Sequence, residues 1–117
     1  MRGILINPWT KEITEVQVEN DYREIYRFLS NPLGPKVETF CVGVKWDNGD
    51  TLYVDDEGYL KAGMRLFDIG RSDDWKLAGN GLILGCDNEG ESTDAKLLMT
   101  EVQCLVKWTN LVTAGAD

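Results

Sequence analysis

The sequence predicts an α+β protein: a mainly antiparallel sheet of about five strands with two helices, in the order β-β-α-β-β-irregular-β-α. Three observations predict it. The β-branched apolar runs come in pairs joined by short polar turns, as hairpins do, instead of alternating singly with helices as a doubly wound parallel sheet requires. Two segments carry apolar residues at helical spacing. The 117 residues, 43% of them hydrophobic, are enough for one core without a metal or disulfides to staple it. The chain reads as a single domain over residues 1–112 with a frayed tail at 113–117.

The elements follow in order. GILINP (3–8) is an apolar run stopped by Asn7-Pro8, a strand entering a turn. EITEVQVE (12–19) alternates around Ile13, Val16 and Val18, a half-buried strand with an irregularity near Thr14-Glu15. In NDYREIYRFLSNPLGP, residues Tyr22, Ile25, Tyr26 and Leu29 gather on one face of a helix. Asn20 or Asp21 caps its start, Asp21 and Glu24 have capping-box spacing, and Asn31-Pro32 and Gly34-Pro35 end it.

VETFCVGVKW (37–46) and the run starting TLYVDDEG flank Asp47-Asn48-Gly49-Asp50. Asn-Gly between two strands predicts a hairpin, because both residues tolerate the positive φ of a tight turn, and it puts the acids of DNGD at an exposed tip. The stretch from Lys61 to Gly81 is irregular, with a short helical turn at Met64 to Phe67 and a loop at Arg71-Ser72-Asp73-Asp74. LILG (82–85) is a buried strand and DNEGEST (87–93) a polar turn. A second helix then starts at a Ser92 or Thr93 N-cap and gathers Leu98, Val102, Leu105 and Trp108 on one face.

With 20 acids against 12 bases, the net charge of -8 repels phosphate backbones and anionic lipid, which disfavours direct nucleic-acid or membrane binding. The same charge serves solubility or faces a basic partner. Cys41, Cys86 and Cys104 are an odd, widely spaced set in a chain without histidine, which argues against a disulfide framework and a Cys/His zinc site. All three read as small buried residues in a reducing cytosol. No apolar run reaches the ~20 residues of a membrane span, and the N-terminus lacks the pattern of a signal peptide.

Catalytic patterns are missing where they are sought. Histidine-based triads are excluded, Ser30, Ser72 and Ser92 lack a GxSxG setting, and neither DNGDTLYVDDEG nor DNEGESTD has the glycine of a calcium loop at its sixth position. Gly79-Asn80-Gly81 precedes a strand and not a helix, so it forms no phosphate cradle. Its glycines supply positive φ or a close backbone approach. An enzyme working through carboxylates ranks behind two binding readings, and no cofactor is implied. Among the tryptophans, Trp46 and Trp108 read as core, while Trp9 and Trp75 are candidates for exposed anchors or stacking residues.

Taken in order, the N-terminal hairpin, the Glu57-Gly58 turn followed by Leu60-Lys61, and Gly79-Asn80 entering Leu82 to Leu84 ahead of a C-terminal helix resemble a family of small phage and plasmid proteins of unknown function. Where that pattern continues with a small polar residue and an arginine, this chain has Gly63-Met64-Arg65, so only Arg65 corresponds. The resemblance implies an accessory protein of a mobile element acting inside a bacterial host, and it transfers no catalytic residues. The leading expectation is a non-enzymatic protein that binds and modulates a host factor, such as a defence or nucleic-acid-handling protein, through an acidic surface of Asp47, Asp50, Asp55, Asp56 and Glu57. The alternative is an oligomeric sponge for a nucleotide-like signal, using Arg65, Arg71, Trp75 and Asn80.

Overall fold

The computed structural model describes residues 1–70 and 76–115. Strands β1 (Arg2–Asn7) and β2 (Glu12–Gln17) form the first hairpin, helix α1 (Tyr22–Leu29) follows, and β3 (Phe40–Lys45) and β4 (Thr51–Asp55) form the second. A 3-10 turn (Gly58–Leu60) leads to β5 (Ala62–Asp68), β6 (Leu77–Ala78), β7 (Gly81–Cys86), β8 (Ser92–Thr93), helix α2 (Met99–Leu105) and β9 (Lys107–Ala114). The larger sheet has the order β2-β1-β7-β4-β3, with β8 beside β7; the smaller has the order β6-β5-β9. Every pairing among the described residues is antiparallel. The α+β class with two helices agrees with the sequence, but two sheets replace the one of about five strands. No helix among the described residues is long and apolar enough to cross a membrane.

The LILG run becomes the middle of the fold because it is apolar on both sides. Leu82 and Leu84 join Ile25 and Leu29 of α1 in one cluster, and Ile83 joins Ile4, Ile6, Leu52, Phe67 and Val102 in the other. Leu82, Ile83 and Leu84 are all fully buried, as a strand covered on both faces requires. The smaller sheet feeds both clusters. Met64 and Leu66 enter the first, Phe67 and Ile69 the second, and the switch coincides with a register shift between Arg65 and Phe67.

The predicted Asn-Gly hairpin and the start of α1 form at the expected residues, with positive φ at Gly49 but not at Asn48. Gly49 has φ of 95°, and Asn48 Oδ1 accepts from the Asp50 amide at 2.8 Å, which closes the β3–β4 hairpin. In α1, Asp21 is the N-cap and accepts from the Arg23 amide at 3.0 Å. Glu24 accepts from the Glu19 amide at 3.3 Å, two residues before the position that a capping box would use.

Several expectations are corrected. Met64 to Phe67 is strand, since its amides and carbonyls are taken by β6 and β9. No register shift occurs near Thr14-Glu15; the irregularity of the larger sheet lies between Val42 and Val44 in β3. The second helix starts at Met99, with Leu98 as N-cap exposed to solvent, and Ser92–Thr93 pairs with β7 instead of capping it. It ends at Leu105, and Trp108 is in β9, which runs through Ala114 past the boundary set at residue 112. Thr109 Oγ donates to the Leu66 carbonyl at 2.7 Å, and Thr113 Oγ accepts from the Met64 amide at 3.0 Å. These two threonines fasten to β5 a segment whose β-branched residues favour a strand.

The helix begins late because residues 95–97 are held outside it by side chains from elsewhere. Asp50, with no exposed surface, accepts from the Lys96 amide at 3.0 Å and the Leu97 amide at 2.7 Å. Arg2 donates to the Ala95 and Leu97 carbonyls at 2.7 and 3.0 Å. Lys96 Nζ closes the strap on the Asn48 carbonyl at 2.8 Å. With its amides and carbonyls so occupied, the segment has no call on helical partners. Replacing Asp50 by alanine leaves the two strap amides without their acceptor and is expected to cost about 3 kcal/mol in urea unfolding, with Asp50→Asn between it and wild type. An Asp50→Ala midpoint equal to wild type would show that the strap is held by other contacts.

Candidate functional site

The five acids expected to form one surface divide between interior and surface. Asp47, Asp56 and Glu57 are exposed. Asp50 is inside the fold, bound to the strap, and the expectation of an exposed carboxylate there is corrected. Asp55 is corrected likewise: its side chain is 1% exposed, it accepts from Lys61 Nζ at 2.7 Å and it holds the Glu57 amide at 2.9 Å. Lys61 Nζ also donates to the Lys36 carbonyl at 2.7 Å, so this pair ties the DDEG turn to the segment before β3. In the Asp55-Asp56-Glu57 run, then, the first carboxylate organises the turn and the next two face water.

The alternative site is not assembled as the sequence suggests. Arg71 and Trp75 lie outside the described residues. Arg65 lies on β5, where its carbonyl accepts from the Gly79 amide at 2.8 Å. Asn80 is buried and occupied: its Nδ2 donates to the Phe28 carbonyl at 3.0 Å and its Oδ1 accepts from Asn31 Nδ2 at 3.2 Å. Asn31 also donates to Asn7 Oδ1 at 3.0 Å, and Asn7 Oδ1 in turn accepts from the Trp9 and Thr10 amides. The two Asn-Pro stops and the Gly-Asn entry to β7 thus meet in one amide network that joins three turns. Gly79 has φ of 82°, the positive value expected of it.

Trp9, read as an exposed anchor, is half-buried. A Cβ at Gly34 would come within 2.2 Å of its ring, so that glycine admits the indole between the first turn and the end of α1. Trp46 and Trp108 pack against the core, as expected. The cysteines are less buried than expected: Cys41 and Cys86 are intermediate and Cys104 is exposed. Burial pushes the Cys41 thiol above its ordinary pKa, and a hydrogen bond and negative charge from Asp56 push the same way.

The sequence did not reveal a concavity that the described residues form beside α1. Four aromatic rings cross from α1 to the larger sheet in consecutive edge-to-face contacts. Tyr22 meets Tyr26 at 6.0 Å between centroids, Tyr26 meets Phe40 at 5.1 Å, and Phe40 meets Tyr53 at 5.5 Å. Beside them opens a groove of about 260 Å³ that Tyr22, Phe40 and Tyr53 line. Glu19 and Asp21, before α1, and Glu91, in the β7–β8 turn, border it. Asp21 is bound by Arg23 at 2.9 Å, and that hydrogen bond holds its carboxyl below the usual range. Neither the Glu19 nor the Glu91 carboxylate has an ion-pair partner among the described residues. The helical face that buries Ile25 and Leu29 leaves Tyr22 65% exposed at its first turn, which is the one local hint of this groove.

No family model, curated protein or solved structure matches this chain.

The division of the acids is open to test by stability. Removing the Lys61 ammonium in Lys61→Ala strands the Asp55 carboxylate and is expected to cost about 3 kcal/mol in urea unfolding, whereas the Asp56→Asn, Glu57→Gln pair should stay within about 0.5 kcal/mol of wild type. Equal losses in both variants would mean that Asp55 is no more structural than its neighbours. The thiols give a separate check. At pH 8, exposed Cys104 is expected to label with iodoacetamide well before Cys41, whose burial both shields the thiol and disfavours its thiolate, and peptide mapping that finds Cys41 modified first would contradict the burial described.

Proposed function

We propose that this chain is a non-enzymatic binding protein that engages a basic protein through its acidic surface. In the setting that the phage and plasmid resemblance implies, the target is a bacterial host protein, of the defence or nucleic-acid-handling kind, whose activity the binding modulates. The observation that carries this reading is the carboxylate-bordered groove, since it gives the net charge of -8 a shaped place at which to act. The acidic surface is redrawn accordingly. Its acids are Glu19, Asp21 and Glu91 at the groove, with Asp47 before β4 and Asp56 and Glu57 after it, and Asp50 and Asp55 leave it for the interior.

Charge supports association more than grip. A surface of this sign draws a basic partner in by long-range attraction, and that attraction weakens as salt shortens the Debye length. Capture from bacterial lysate with the tagged chain, read by native mass spectrometry, is expected to return a stoichiometric basic protein that is released between roughly 0.05 and 0.5 M salt. The variant Asp47→Asn, Asp56→Asn, Glu57→Gln should retain it less well. A bound small molecule on a homo-oligomer with no foreign protein, or a complex indifferent to salt and to these substitutions, would overturn the reading.

A further inference from the structure

The groove beside the aromatic ladder has three kinds of wall, and each matches a different part of one chemical group. Val18, Ile25 and Leu84, 2%, 7% and 0% exposed, supply an apolar floor. Tyr22, Phe40 and Tyr53 supply ring faces and edges, Phe40 meeting Tyr53 directly and Tyr22 joined to Phe40 through Tyr26. Glu19, Asp21 and Glu91 supply negative charge at the rim. A long cationic side chain has the same order of parts, with an apolar stem below a charged head that is attracted both to aromatic rings and to carboxylates.

We propose that this groove is a receptor for a single arginine or lysine side chain presented by a basic protein partner. The proposal rests on the acidic-surface reading above and narrows it to one place and one residue class. Size favours a single side chain: the groove, at about 260 Å³, falls below the roughly 300–1,000 Å³ usual for small-molecule sites. Charge favours a cation. Two positive groups border the site, Arg23 on Asp21 and the Met1 ammonium, which donates to the Val18 carbonyl at 2.7 Å. Three carboxylates against these two cations leave an excess of one negative charge, and the unpaired members, Glu19 and Glu91, come from segments far apart in sequence. A phosphate or carboxylate ligand would meet that rim with the wrong sign.

The edge-to-face ladder preorganises the site. Tyr26 is half-buried between Tyr22 and Phe40, and Tyr53 stands on β4 beside the central strand, so the rings are positioned before any partner arrives. Ordering cost at binding then falls mainly on the incoming side chain, which is the condition under which one anchor residue contributes strongly to a protein interface.

The test uses N-acetyl-arginine amide and its neutral counterpart N-acetyl-citrulline amide, titrated into the full chain while backbone amide shifts are followed by NMR. The arginine probe is expected to give saturable shifts at Val18 to Tyr22, Phe40, Tyr53 and Glu91, with an affinity at least about fivefold above that of citrulline. That preference should vanish in Glu19→Gln, Glu91→Gln, whose exposed positions leave folding intact, and Tyr22→Ala should weaken arginine binding about threefold. Equal affinity for the two probes, shifts elsewhere on the surface, or no saturable shift would each overturn the proposal. So would binding of nucleotides at the same residues. Concentration-dependent dimerisation that occupies the groove would assign it to a second copy and overturn the partner stated here. Failure of the groove and failure of the wider reading are separable. A captured basic protein that binds Glu19→Gln, Glu91→Gln as well as wild type removes the groove alone, whereas arginine-selective shifts without any captured basic protein remove the partner reading alone.

Discussion

A carboxylate with no exposed surface sets the path of the C-terminal third of this chain. Asp50 leaves the β3–β4 hairpin pointing inward and takes the amides of Lys96 and Leu97. Because Arg2 takes the carbonyls on either side of the same segment, strap 95–97 is fixed between the first strand and the second hairpin. Ala95 and Leu97 are thereby pressed into the core cluster, and α2 begins only once the strap ends, with Glu101 accepting from the Leu98 amide at 2.9 Å. The direction in which α2 leaves determines where β9 returns to β5. A charge-assisted bond to backbone amides suits this task, since it combines strength with direction where a purely apolar contact would allow sliding.

The same logic recurs at the other end of the larger sheet with neutral groups. Asn7, Asn31 and Asn80 come from the first turn, the end of α1 and the entry to β7, and their amides satisfy each other and the Phe28 carbonyl. Trp9 lies over Gly34 in the same region. Polar side chains therefore fix the turns on both flanks of an apolar sheet, and the groove lies on the face that α1 covers. Buried amides and carboxylates of this kind are satisfied throughout: among the described residues, no buried side-chain nitrogen or oxygen lacks a partner.

What was legible in the sequence was local. The Asn-Gly hairpin, the apolar face of α1 with its Asp21 cap, and the doubly buried LILG strand each follow from a few neighbouring residues, and each formed. The second sheet was not legible, because β5 pairs with β6 and β9 across sequence gaps, and its alternation is interrupted by register shifts that break the period of two. The long C-terminal helix read from the spacing of Leu98, Val102, Leu105 and Trp108 lost to tertiary hydrogen bonds at both ends: the strap before it and the two threonine anchors after it. For the acids, sequence could count carboxylates but not orient them. In DNGD and DDEG one acid of each turn faces inward, and what distinguishes it is a partner 46 residues away for Asp50 and 6 residues away for Asp55.

The groove belongs to the class of feature that adjacency in sequence conceals. Its rings come from α1, β3 and β4, and its carboxylates from the stretch before α1 and the turn after β7. Each piece has an ordinary structural duty. The rings pack a helix onto a sheet, Asp21 caps that helix, and Glu91 sits in a turn whose amide donates to Asp87 Oδ1 at 2.9 Å. Function would arise here from the overlap of these duties at one point on a strongly acidic surface. On the proposed reading, long-range charge would favour approach of basic molecules, and the ringed groove would discriminate among those that arrive by accepting a flexible apolar stem with a cationic head. Such a division would separate speed of association from selectivity, so that on this proposal substitutions on the open acidic turns and in the groove would act on different stages of the same encounter.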